Sequence, residues 1–251
     1  MMTEVVEVPV DCEAQKKHHI IEKIQDELKR VSNYVPRVGV FGDAGAGKSS
    51  LCNALFGNDI AQVSHVDNHS CMPQEILIGD KDKGEMILVD APGIGKDTQH
   101  HAEHIHLYKK LIHGLDVVLW TIKADEREYM SSMDVYRKVI EPNLRSCPVV
   151  FAITQTDKIE PYRDWDKKSG SPGEKQMISL QFKVNDISSR FNVSTNKIVP
   201  VSSVNTYNLH ALINKLVDML PKEENSSLGE YDEEIFLEEL LEMQKMEYCI
   251  F

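Results

Sequence analysis

Val38-Gly39-Val40-Phe41-Gly42-Asp43-Ala44-Gly45-Ala46-Gly47-Lys48-Ser49 is the stretch on which the reading of this chain turns. Residues 38–41 read as a short buried strand. Gly42–Ser49 spell G-x-x-x-x-G-K-S, and Ser50–Phe56 read as the start of a helix. Strand, glycine-rich loop and helix in that order separate a working phosphate loop from a chance match. The glycines let successive main-chain N–H groups turn inward around a polyphosphate, and the helix N-terminus adds its positive dipole end. Residues 43–50 (Asp43, Ala44, Gly45, Ala46, Gly47, Lys48, Ser49 and Ser50) therefore form the candidate phosphate cradle. Lys48 reaches the β- and γ-phosphates, and the Ser49 hydroxyl ligates Mg²⁺.

Outward from this loop the chain alternates between strand and helix patterns. Arg37–Phe41 is a strand and Ser49–Phe56 a helix. Glu75–Gly79 and Glu85–Asp90 are two strands joined by a polar turn of hairpin type. Thr98–His113 is largely helical, and Leu115–Thr121 is a near-continuous apolar run suited to a central strand covered on both faces. Arg127–Ile140 reads as a helix that stops at Glu141-Pro142. Pro148–Thr154 is another buried strand. Ser171-Pro172-Gly173-Glu174 has capping-box spacing and starts a helix that runs to about Phe191. Lys197–Val201 is the last strand, and Leu209, Leu212, Ile213, Leu216, Val217 and Leu220 mark an amphipathic final helix. This pattern predicts an α/β, doubly wound sheet of six strands, mostly parallel, with one antiparallel edge strand and helices on both faces.

Extra helices flank that domain. Residues 1–36 make an N-terminal arm and an amphipathic helix with Ile20, Ile21, Ile24, Leu28 and Val31 at helical spacing. Residues 37–221 make the nucleotide domain. Residues 222–251 hold ten acidic residues against two lysines, a linker followed by an apolar stripe from Ile235 to Met246. That stripe either packs on the domain or serves self- or partner association.

Composition narrows the classes. The chain has 251 residues and a net charge of −12, so nucleic acid is not expected as the main partner, phosphate-backbone binding being dominated by Lys and Arg. Its five cysteines are widely spaced with no C-x-x-C pair, which suggests neither a disulfide framework nor a zinc site. No stretch of eighteen apolar residues and no secretory leader pattern is visible. The expectation is a soluble, reduced, cytoplasmic protein.

Two further loops complete a nucleotide site. Asp90-Ala91-Pro92-Gly93 follows an apolar strand and gives D-x-x-G, in which Asp90 holds Mg²⁺ through a water and the Gly93 N–H meets the γ-phosphate. Thr154-Gln155-Thr156-Asp157 follows a second buried strand, where the base-recognition pattern N/T-K-x-D is expected. The Asp157 carboxylate accepts two hydrogen bonds from guanine N1–H and the N2 amine. Adenine lacks that donor pair, which makes the mismatch costly. Thr154 stands for the usual Asn and supports the loop through its hydroxyl. Gln155 stands where a lysine stem usually covers the base. Ser202 and Ser203, after the last strand, resemble the loop that touches guanine O6 through a main-chain N–H. The first switch falls at residues 58–74, where Ser70 (rival, Ser64) is the candidate Mg²⁺ contact.

In this order the motifs resemble a translation-factor-class P-loop GTPase. The resemblance is nearest to the Era-like family and its small cytosolic and prophage-encoded bacterial branch, and covers residues 13–220. It implies a Ras-like fold and hydrolysis of GTP to GDP and phosphate with Mg²⁺, with Lys48, Ser49, Asp90 and Gly93 as the catalytic set. It also implies a molecular switch. The alternatives are a nucleotide-gated interaction module with negligible turnover, or a self-assembling dynamin- or septin-like GTPase. Partners would be a second copy or another protein, engaged through switch regions or terminal helices. Three departures stand out. Gly45 replaces the potassium-recruiting Asn of many Era-like members. Ile94 follows the D-x-x-G where Ras-type enzymes have a water-orienting Gln, so intrinsic hydrolysis is expected to be slow. Nothing matches the RNA-binding GXXG signature of Era. His100, His101, His104 and His106, with His113 beyond, form a cluster after Gly93. A helical metal pair, a water-orienting role and a solvated His-rich segment are all open readings of it.

Overall fold

A computed structural model of the chain describes residues 35–56, 73–80, 84–95 and 101–221. The chain divides into residues 1–221 and 222–251, and every described residue belongs to the first unit. The expected terminal helices, Ser64, Ser70 and His100 lie outside the described residues.

Six strands form one sheet in the order β2-β3-β1-β4-β5-β6: β1 Arg37–Gly42, β2 Gln74–Asp80, β3 Gly84–Asp90, β4 Val117–Lys123, β5 Val149–Thr154 and β6 Ile198–Pro200. All neighbours are parallel except β2 and β3, whose register runs Gln74 to Asp90 through Asp80 to Gly84. The sequence expectation of a doubly wound sheet with one antiparallel edge strand holds.

Both faces are buried, which is why the central strands read as unbroken apolar runs. On one face Val38 and Val40 of β1, Val117 and Leu119 of β4, and Val150 and Ala152 of β5 pack with Leu51 and Leu55 of α1 (Lys48–Phe56) and with Leu209, Leu212, Ile213 and Leu216 of α5 (Leu209–Met219). The alternate residues point the other way into an aromatic layer. There Phe41 stacks on Tyr108 of α2 (His101–Ile112) at 4.2 Å between centroids, and Trp120 meets Tyr136 edge-on at 5.7 Å. Phe151 packs on Phe191, the last residue of α4 (Glu174–Phe191), at 5.2 Å. Such pairings add stability beyond the area they bury.

Two sequence expectations are corrected. The 127–140 segment is not one helix ending at Pro142. Residues 127–129 stay outside it, α3 covers Met130–Val135, a π-helical turn covers Tyr136–Ile140, and a 3-10 turn carries the chain through Pro142 to Asn143. The Glu126 carboxylate accepts the N–H groups of Arg127 and Glu128, which holds that entry out of the helix. In addition, Ser171 does not cap α4. Gly173 occupies the cap position without a side-chain bond, and the orphan N–H groups of Lys175 and Gln176 go to Asp164 Oδ2 at 2.8 and 3.2 Å.

Candidate functional site

The site is assembled at the carboxyl ends of β1, β3 and β5, with the loop after β6. At the end of β1 the loop turns on itself: the Ala46 N–H donates to Asp43 O and the Leu51 N–H to Gly47 O, at 3.1 and 2.9 Å. Gly47 sits at φ +84°, a left-handed conformation that disfavours a side chain. Ala44, Gly45, Ser49 and Ser50 are exposed, whereas Lys48 is buried at 8% exposure. Its ammonium donates to Gly42 O and Asp43 O at 3.3 and 3.2 Å. Burial lowers the Lys48 pKa, and the carboxylates of Asp90 and Asp43 pull it back up.

Asp90 ends β3 in register with Val40. Its Oδ1 is buried and has no hydrogen-bond partner among the described residues. Burial raises its pKa and Lys48 opposes that rise. A hard divalent cation would satisfy an orphaned carboxylate oxygen, so Asp90 fits a magnesium ion, and the exposed Ser49 hydroxyl leaves an oxygen free to join it. Gly93 lies against the phosphate loop: a Cβ there would stand 2.7 Å from Ala44 Cα and 2.8 Å from Lys48 Nζ, so only glycine fits. Ile94 follows with two main-chain bonds to the same loop, Ala44 N–H to Ile94 O at 3.0 Å and Ile94 N–H to Gly42 O at 3.1 Å. The Ile94 side chain is 1% exposed and packs in the core.

The expected base loop joins the phosphate loop directly. Buried Thr154 donates its hydroxyl to Ala46 O at 2.5 Å, the supporting bond anticipated from sequence. Gln155, at φ +56°, donates Nε2 to Gly45 O at 3.4 Å. Asp157 Oδ1 accepts the Ser202 hydroxyl at 2.6 Å, so the loops after β5 and β6 meet at this carboxylate. The Ser202 N–H is taken by Tyr207 O at 3.2 Å, and Ser203 follows it.

Three contacts were not legible in the sequence: two are tertiary meetings with no local signature, and the third, within one turn, depends on the left-handed backbone of Gln155. Buried Ser132 of α3 donates to Asp43 Oδ1 at 2.5 Å, Tyr108 Oη donates to Pro92 O at 2.5 Å, and Lys158 Nζ donates to Gln155 Oε1 at 2.9 Å. In the histidine cluster, His101, His104 and His106 begin α2. Among the described residues no group of three or more His, Cys, Asp or Glu is placed to hold a metal ion, and no helix is long and apolar enough to cross a membrane.

Comparison with known proteins adds family context. Residues 37–155 match the model described as 50S ribosome-binding GTPase. The chain is 33% identical over 212 residues to the uncharacterized protein YkfA of Escherichia coli (strain K12), covering 82% of this chain and 70% of that one. It is 26% identical over 191 residues to GTPase Era of Aquifex aeolicus (strain VF5), covering 74% and 57%. Among solved structures it resembles Era in complex with MgGDPNP and nucleotides 1506-1542 of 16S ribosomal RNA, with a TM-score of 0.55 at 24% identity over 75% of this chain and 57% of that one. That last likeness is one of fold. The chain thus spans less than two thirds of the Era proteins it matches.

Proposed function

The chain belongs to the Era-like family of P-loop GTPases, and from that premise we propose that it binds GTP and hydrolyses it slowly to GDP and phosphate as a molecular switch. One observation carries the reading: the Thr154 and Gln155 bonds to Ala46 O and Gly45 O make the Asp157 turn and the phosphate loop a single unit. A cradle for phosphates is thereby tied to a carboxylate suited to guanine.

In this reading the main-chain N–H groups of residues 45 and 47–50 and the Lys48 ammonium hold the phosphates, those of Ala44 and Ala46 being taken by Ile94 O and Asp43 O. Lys48 neutralises charge developing on them, and the Gly93 N–H faces the γ-phosphate. Ser49 and Asp90 would hold Mg²⁺, which would supply positive charge to the phosphates. Asp157 reads the guanine N1–H and N2 amine, positioned by the Ser202 hydroxyl. With the Ser202 N–H held by Tyr207, the main-chain donor toward O6 falls to Ser203. The core position of the Ile94 side chain supports slow turnover, on the order of 10⁻³ s⁻¹ or less as in switches awaiting an activator. We assign no nucleic-acid partner, because acidic residues outnumber basic ones by 40 to 28.

Calorimetry with magnesium tests the reading. GTP should bind about a hundredfold more tightly than ATP, and Lys48→Ala should abolish steady-state phosphate release. Equal affinity for the two nucleotides would overturn base selection. Equal rates for the two chains would overturn the assigned chemistry.

A further inference from the structure

We propose that Lys158 covers the base side of the pocket, taking over the work of the lysine absent at position 155. This rests on the guanine-nucleotide reading above and names a residue that the N/T-K-x-D pattern does not include.

The departure at Gln155 leaves two tasks unfilled. A glutamine has no ammonium, and its side chain is too short both to reach the phosphate loop and to lie along a purine plane. The structure divides those tasks. Gln155 holds a left-handed backbone, uncommon for a residue with a side chain, and spends its Nε2 on Gly45 O. Its Oε1 is then the acceptor for Lys158 Nζ at 2.9 Å. The 3-10 turn Thr156–Lys158, closed by the Lys158 N–H to Gln155 O at 2.9 Å, brings the two residues together around Asp157. Lys158 follows Asp157 directly, and the bond draws its four-carbon stem back toward Gln155. It is exposed, and among the described residues its ammonium carries no ion pair. A lysine stem packs against flat apolar surface while its head stays solvated, and an ammonium is attracted to the face of an aromatic ring. Gln155 thus keeps the tie to the phosphate loop, and Lys158 supplies stem and charge to the base.

A double-mutant cycle tests this, with GDP and inosine diphosphate affinities measured for the unaltered chain, Lys158→Ala, Gln155→Lys and the double variant. Lys158→Ala should weaken GDP about five- to tenfold, with the melting temperature unchanged. Inosine diphosphate should weaken equally, because a residue covering the ring plane does not read its edge; Asp157→Asn, by contrast, should change the ratio of the two. In the Gln155→Lys background, Lys158→Ala should cost less than about twofold. No loss in the native background, or the same loss in both, would overturn the assignment. If the unaltered chain bound no guanine nucleotide, the functional reading would fall with it.

Discussion

Asp43 occupies the second position of the phosphate loop, a place the sequence marks only as variable. Its carboxylate is tied to Ser132 and, after Asp90, partly offsets the lowering of the Lys48 pKa by burial. The loop is therefore braced from α3 as well as from β1. Ser132→Ala removes one partner of a half-buried carboxylate, and the loss of such a hydrogen bond costs about 0.5–1.5 kcal/mol. Urea denaturation should show a destabilisation in that range with an unchanged slope. At this scale the motif residues themselves were legible, because glycine, lysine and carboxylate at fixed spacing have few other uses. Ser132 and Tyr108 were not, because nothing in their neighbours announces a partner many residues away, nor was Lys158, whose bond to Gln155 depends on a left-handed backbone that the residue type does not signal.

Element boundaries follow a similar rule. Strands were found nearly whole, since burial on both faces writes itself as a continuous apolar run. Helix ends were less legible where the capping group is distant. The Ser171 to Glu174 spacing satisfies the local pattern, yet the orphan amides of α4 are taken by Asp164. The difference is measurable: Asp164→Ala should destabilise the chain by about 1 kcal/mol, within the range for a lost N-cap, while Ser171→Ala should leave the unfolding midpoint unchanged. The break before α3 has a comparable cause. Glu126 offers its carboxylate to two consecutive amides, a competition between side chain and helix that periodicity does not reveal.

Across the whole molecule the sheet separates an aliphatic layer, closed by α1 and α5, from an aromatic one closed by α2, α3 and α4. The sequence showed that both faces would be covered, but not that the large rings would gather on one of them, because either face of a buried strand accepts them. At the margin of the aromatic layer lies Lys183, 9% exposed, donating to Glu126 O and Tyr129 Oη. Burial lowers its pKa from 10.5 to about 8, against the pull of Asp186, Glu126 and Asp125. Between those values the unfolded chain binds more protons than the folded one, so this residue makes stability rise with pH from about 8 toward 10.5. Tyr129, raised by burial, acts in the opposite direction above its ordinary value of 10.0. Compared with Lys183→Met by chemical denaturation, the unaltered chain should gain stability from pH 8 to pH 10. The same increment in both chains would refute the attribution.

Tyr108 gives the D-x-x-G segment an uneven footing. Upstream, Ala91 is laced to Val40 and the Pro92 carbonyl accepts a phenol rooted beneath the sheet. Downstream, Ile94 is fastened to the phosphate loop by two main-chain links. Any rearrangement that accompanies exchange of one nucleotide for another should therefore pivot at Gly93, leaving Asp90 stationary. Amide hydrogen exchange would register that pivot as a loss of protection at Ile94 while Ala91, bonded to Val40 O, stays protected.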